Sequence, residues 1–358
     1  MAMTERILVT GGAGFVGSNL ALSFKRDRPS ASIIAFDNLK RRGSELALSR
    51  LLAGGVEFVH GDIRSMDDLA SAGSAHVLVE ASAEPSVFAG YGGDPNYVVH
   101  TNLFGAANCL EYARRHESDL IFLSTSRVYS IGALRALSLD SNDSRFFLHG
   151  GVQQTGVSPA GISEIFSVSG HRSLYGTTKL AAELLVEEYR AMYGLRAVIN
   201  RCGVISGPWQ MGKVDQGFVV LWLSRHLFGG PLSYMGFGGH GLQVRDVLHV
   251  DDLYDLIVRQ LNGLNEYGGG LFNVGGGMAS STSLRELTSM SQRISGRTIE
   301  LGQVPETREA DIPFYVTDHQ AVTRTTGWTP KRSLNQVLQD VWRWLVDERA
   351  QLEPILSQ

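Results

Sequence analysis

Tyr175 and Lys179 stand four residues apart in Tyr-Gly-Thr-Thr-Lys, and the run that follows, Leu180 to Val186, consists mostly of strong helix formers. Positions four apart on a helix share a face, so the phenol and the ammonium sit side by side. A neighbouring ammonium favours the phenolate and pulls a tyrosine down from its ordinary value near 10. A tyrosine tuned in this way can take the proton of an alcohol. The chain has eleven tyrosines and five lysines, so the pair gains its meaning from context; the bland alternative is a half-exposed helix start.

The context begins at the N-terminal end. Arg6 to Thr10 is a short apolar strand, followed directly by Gly11-Gly-Ala-Gly14-Phe15-Val16-Gly17 and a helical run from Ser18 to Lys25. Glycines at that spacing allow a tight turn and let bare backbone approach a pyrophosphate, which then rests on the helix N-terminus. Ser32 to Phe36 reads as a second strand ending at Asp37, twenty residues beyond Gly17, where an acid meets an adenosine ribose hydroxyl. Together these predict a βαβ dinucleotide-binding unit. Val56 to His60 is a third strand; Asp62 and Ile63 at its end are placed to touch an adenine, the competing role of Asp62 being a cap for a helix from Ser65 to Ala72. Val77 to Ala81 is a fourth strand, with Ser82 and Ala83 leaving room for a cofactor. A helix from Asn102 leads into a fifth strand, Leu120 to Leu123.

Repeated strand-helix alternation predicts an α/β fold with a Rossmann-type doubly wound parallel sheet, whose ligands lie beyond the C-terminal strand ends. Ser124 and Thr125 fall there, and the Thr125 hydroxyl is a candidate for steadying a reacting oxygen; its alternative is satisfying local backbone. The long connection from Ser130 to Leu174 is expected as a partly ordered cover, with Ser158 to Glu164 turning into the helix, or else as a disordered insertion. Ala197 to Cys202 is a sixth strand and Phe218 to Phe228 a core helix. Residues 337–346, with Trp342 and Trp344, form a closing amphipathic helix that reads as core. The expected division is a dinucleotide-binding domain over 1–202, rejoined by 243–275, and a smaller, discontinuous C-terminal substrate lobe over 203–242 and 276–358.

Composition narrows the partners. A chain of 358 residues that is 43% hydrophobic can bury two lobes, and a net charge of -4 with no long basic run gives no footprint for nucleic acid or an anionic membrane surface. No stretch has the length of a membrane span, and the first residues lack a signal-peptide core, so the expected location is the cytoplasm. Cys109 and Cys202 show no metal-ligand spacing with the ten histidines; both read as buried thiols, and no metal is expected.

These pieces, in order, resemble the extended short-chain dehydrogenase/reductase family: Thr10-Gly-Gly-Ala-Gly-Phe-Val-Gly17, Asp37, Asp62-Ile63, Asn102, Ser-Thr125-x-x-Val-Tyr, and Tyr175 to Lys179. The resemblance implies NAD, held by Gly11, Gly14, Phe15, Val16, Gly17, Asp37, Asn38, Asp62, Ile63, Ala81, Ser82, Ala83, Asn102, Ser124, Tyr175 and Lys179. It implies Tyr175 as base and acid, Lys179 as its tuner and a ribose ligand, and Thr125 as the hydroxyl that steadies the sugar oxygen. Dehydratases of the family carry an acidic pair just after the threonine; this chain has Ser126 and Arg127, which removes the groups that water elimination needs.

Gly241 to Asp252 matches the family stretch in which an arginine grips the diphosphate of a nucleotide-diphosphate sugar, and the matching residue is Arg245. A planar guanidinium suits phosphate oxygens, and Arg308 is the second such candidate. A finer likeness rests on Phe36 to Gly43, Phe58 to Arg64, Gln210 with Asp215-Gln216-Gly217, and Gln243 to His249. It implies an epimerase that inverts C2 of a CDP-linked dideoxyhexose, with substrate contacts from Thr125, Ser126, Arg127, Arg201, Gln210, Gln216, Arg245 and Arg308. The chain departs from that pattern at Ser126-Arg127 and at Cys202-Gly203. The alternatives are a 4-epimerase or an NAD(P)H-dependent reductase of the same family, while the intact Tyr175 and Lys179 speak against a non-catalytic NAD sensor. The family usually dimerises through the helices near Asn102 and Tyr175, so a homodimer is expected.

Overall fold

A computed structural model describes residues 4–151, 154–213 and 216–357. The chain forms two compact units: the first comprises residues 1–125, 173–201 and 253–272, and the second 126–172, 202–252 and 273–358.

The first unit is built on seven strands: β1 (Arg6–Thr10), β2 (Ser32–Asp37), β3 (Glu57–His60), β4 (Val77–Glu80), β5 (Asp119–Thr125), β6 (Ala197–Cys202) and β7 (Gly269–Val274), in the order β7-β6-β5-β4-β1-β2-β3. Pairings are parallel from β3 through β2, β1 and β4 to β5. Ile7, Leu8 and Val9 are wholly buried, as a strand covered on both faces requires. The strand order reverses between β1 and β4, which opens a crevice at their C-terminal ends. Helix α1 (Phe15–Asp27) leaves the glycine turn there and carries Lys25 and Arg26 in its last turn, complementing the helix dipole.

Helices α2 (Leu46–Ala53), α3 (Met66–Ser71), α4 (Gly105–His116), α5 (Leu174–Tyr193) and α6 (Val250–Tyr267) complete the alternation. Phe36, Phe122, Tyr112, Ala182 and Ile199 belong to one core cluster between sheet and helices. Two sequence expectations shift. The Ser65 hydroxyl caps α3 by accepting from the Asp68 N–H, so that cap belongs to Ser65 and not to Asp62. The helix expected to start at Asn102 is preceded by Asn96–Val99 and a π-helical turn, His100–Phe104.

In the second unit, Val244–His249 pairs in parallel with Val204–Ser206 and Phe314–Tyr315 and antiparallel with Ser281–Ser283. Helices Phe218–Phe228, Leu284–Ser295 and Leu334–Asp347 belong to this unit, and the last buries Val337, Leu338, Val341, Trp344 and Leu345 as its core face. The described residues of 130–174 carry regular structure, as a partly ordered cover would. They contain a short helix, Ile131–Arg135, and two hairpins, Leu139–Ser141 with Phe146–Leu148 and Val157–Ser158 with Gly161–Ile162. The second hairpin takes the place of the expected turn into helix. Gly161 has φ +123° and lies where a Cβ would come within 2.2 Å of the Val316 carbonyl oxygen, so only glycine fits.

Ser173 caps α5, accepting from the Gly176 N–H, and Gly194 ends it in the left-handed conformation. Because the cap sets the first turn on which Tyr175 sits, Ser173→Ala should cost about 1 kcal/mol in denaturant unfolding and Ser173→Asp should retain most of it.

Candidate active site

The glycine turn is shaped by close approach. Gly11 has φ +64°, its carbonyl accepts from the Gly14 N–H at 2.9 Å, and a Cβ on Gly17 would lie 2.1 Å from that same oxygen. A Cβ on Gly11 would meet the Ala81 carbonyl oxygen at 2.8 Å, so the end of β4 packs directly on the turn. Phe15 and Val16 open α1, whose first N–H groups have no acid in the first turn to answer them. Asp37 is half-buried and accepts from the Ala13 N–H at 3.1 Å and the Leu39 N–H at 2.7 Å. Burial raises its carboxyl, and the Leu39, Ala13 and Gly14 amides offset part of that.

Asn38 donates to Asp62 at 2.8 Å, and Arg64 clamps Asp62 from Nε and an Nη at 2.9 and 2.7 Å. Burial by itself would raise Asp62, but the hydrogen bonds from Arg64 and Asn38 prevail and hold it down at about 2. Ile63 is buried and its carbonyl accepts from Asn108. Asn102, read from the sequence as a cofactor contact, has its carboxamide on main chain: Oδ1 accepts from the Glu84 N–H at 2.8 Å and Nδ2 donates to the Glu84 carbonyl at 3.0 Å. It thereby fixes the loop that follows Ala81, Ser82 and Ala83.

Tyr175 is half-buried on the first turn of α5 and Lys179 is buried one turn on. Lys179 Nζ donates to Glu80 Oε2 at 3.3 Å and lies 4.1 Å over the Phe122 ring. One turn further, Glu183 is also buried; it accepts from the Ser124 hydroxyl and takes Arg201 Nε and an Nη at 3.1 and 2.7 Å. Thr125 follows Ser124, buried at the end of β5. Arg201, expected at the substrate, is therefore 6% exposed and committed to a carboxylate inside the first unit.

Three predicted arginines converge in the second unit. Arg127 donates to the Ala310 carbonyl at 3.2 Å, Arg245 to those of Val244 and Ile312, both at 2.7 Å, and Arg308 pairs with Asp311 at 3.0 Å. Arg135 joins them, donating to the carbonyls of Arg308, Glu309 and Asp311. Burial and then the charge of Arg127 pull Arg245 down to about 9. Ser126 opens a 3-10 turn, Ser126–Val128. Gln210 is spent locally, donating to the Ile205 carbonyl and accepting from Ser206. Gln216 pairs its main chain with Lys213, and Asp215 lies outside the described residues.

Sequence reasoning misses Glu80, Glu183 and Arg135. The signal for Glu80 is a charge closing an otherwise apolar buried strand, Val77-Leu-Val-Glu80; for Glu183 it is the position four beyond Lys179 on one helix stripe. Nothing marks Arg135 before the fold is known. Cys109 and Cys202 are buried, and neither is in a disulfide. Among the described residues no helix is long and apolar enough to cross a membrane.

A glycine turn that only hydrogen side chains fill, a half-buried acid at the end of β2 and a Tyr-Lys pair on one helix fit NAD. The chain belongs to the NAD dependent epimerase/dehydratase family, whose model matches residues 7–275, and it is an NAD-dependent enzyme of that family. CDP-paratose 2-epimerase of Salmonella typhi is 31% identical over 351 residues, 95% of this chain and 98% of that protein. dTDP-glucose 4,6-dehydratase of Mycolicibacterium smegmatis is 34% identical over 253 residues, 69% of this chain and 66% of that protein. Among solved structures, the UDP-glucuronic acid 4-epimerase of Bacillus cereus, in complex with UDP-glucuronic acid and NAD, shares the fold with a TM-score of 0.77 at 23% identity, covering 96% of this chain and 99% of that one.

Removing one partner of a buried ion pair strands the other. Arg201→Met or Glu183→Met should each cost about 3–5 kcal/mol in denaturant unfolding, and the double variant less than either, because no uncompensated charge remains.

Proposed function

We propose that this enzyme reversibly inverts C2 of a CDP-linked dideoxyhexose through a 2-ketone. What carries the reading is the 31% identity to CDP-paratose 2-epimerase over almost the full length of both chains, joined to Ser126 and Arg127 where a dehydratase would carry two acids. Tyr175 takes the proton of the C2 hydroxyl as base and returns it as acid. Lys179, one turn away, favours the phenolate, and the Thr125 hydroxyl donates to the sugar oxygen. NAD, when bound, supplies the acceptor and donor of the C2 hydride. Gly11 to Gly17 and the start of α1 would take its pyrophosphate and Asp37 its adenosine ribose. Arg245, Arg308 and Arg127 are the proposed diphosphate ligands; Arg127 and Arg245 donate to main-chain carbonyls, which satisfy guanidinium N–H groups without cancelling charge. Binding energy gained at phosphates, remote from C2, holds the nucleotide while the flat ketone presents its other face.

A homodimer is part of the proposal. Phe104, Leu184, Met192 and Tyr193 are exposed on or beside the helices that the family uses for this. Leu184→Glu should shift sedimentation toward a monomer.

Tyr175→Phe should lower turnover by at least ~100-fold with NAD still retained. With CDP-sugar in deuterium oxide, C2 should stay unlabelled and a C2-deuterated substrate should keep its label; solvent deuterium at C2, or turnover restricted to C4 of UDP-sugars, sinks the reading. Asp37 should favour NAD over NADP by repelling a 2'-phosphate, and equal binding of the two in titration would reverse that assignment despite Lys40, Arg41 and Arg42 nearby.

A further inference from the structure

The first unit holds a charged group that the chemistry above does not use. Glu80 closes β4 in register with Thr10 on β1 and Phe122 on β5, and it is 1% exposed. Lys179 reaches it from α5, the Cys109 thiol faces it from α4, and the Thr10 hydroxyl is buried on β1. Along α5, Tyr175 lies one turn before Lys179 and Glu183 one turn after, with Glu183 itself matched by Arg201 on β6 and Ser124 on β5. Burial raises the Glu80 carboxyl and Lys179 offsets part of that rise.

A carboxylate so far from water persists only beside an opposite charge, and an ammonium already matched by a carboxylate has less field left for a neighbouring phenol. Where a lysine serves only to tune a tyrosine, no acid is needed behind it. Here the ammonium is drawn down onto the sheet, against the Phe122 face, and away from rotamers that would carry it toward solvent.

We propose that Glu80 is a positioning residue for the Tyr175 and Lys179 pair: it fixes the lysine side chain on β4 and, by compensating part of its charge, sets the pH at which Tyr175 works as a base. The inference rests on the reading of Tyr175 as base and deepens it.

The test is Glu80→Gln, purified with its nucleotide. With the carboxylate gone the Tyr175 phenolate is the counter-charge that keeps the buried ammonium ionised, so the phenolate gains and the acid limb of the kcat profile should move to lower pH by about one unit. An ultraviolet difference titration, each protein minus its Tyr175→Phe counterpart, should move the same way without any turnover. A Glu80 that is merely structural lowers melting temperature and activity together and leaves both titrations in place; that result, or a shift to higher pH, overturns the inference. Should Glu80→Gln fail to fold, Glu80→Asp withdraws the charge by one methylene and should give a smaller displacement in the same direction, an unmoved titration again overturning it. Normal turnover by Tyr175→Phe would sink the base assignment, while the ultraviolet titration would still decide on Glu80.

Discussion

Glu183 lies almost wholly out of water with the Arg201 guanidinium across it, and much of the first unit's site is arranged by the need to match that one charge. A carboxylate taken from water costs several kcal/mol unless its oxygens are saturated by well-aligned donors. Arg201 comes from β6, Ser124 from β5 and Glu183 from α5, so satisfying the carboxylate locks a twenty-residue helix to two strands at once. Everything one and two turns back along that helix inherits the orientation. Tyr175 and Lys179 are thus aimed by a group that takes no part in the chemistry, and Thr125 is aimed by the residue before it.

The second unit solves a different electrostatic problem. Of the four arginines around residues 308–312, Arg127, Arg135 and Arg245 donate to main-chain carbonyls, and Arg308 pairs with the Asp311 carboxylate. Carbonyls satisfy guanidinium N–H groups without cancelling charge. Burial, and after it the charge of Arg127, depresses Arg245, while Asp311 and Asp246 offset part of that.

How much of this is legible in the sequence follows the range of the interactions. The strand, glycine turn, helix and Asp37 of the first βαβ unit are local, and each residue's type is dictated within a few neighbours. The Tyr175 and Lys179 spacing is local too. Glu80 and Lys179 are 99 residues apart, and Ser124 and Glu183 are 59 apart, so nothing short of the assembled sheet pairs them. The same limit explains Arg201: a guanidinium in a family motif region invites a ligand role until its buried carboxylate is seen. The hairpins of 139–148 and 157–162 escape notice because strands of two or three residues carry no readable alternation.

The π-helical turn His100–Phe104 holds one residue more per turn than the α-helix into which it runs. Asn102 sits inside it with both halves of its amide on Glu84. Deleting a single residue there would convert the turn to ordinary helix and rotate Asn102 by about 100° relative to α4, taking its amide away from the Glu84 N–H and carbonyl. The segment is thus intolerant of a length change that most helices absorb at a frayed end, and anyone grafting or shortening this region should preserve the surplus residue before any side chain.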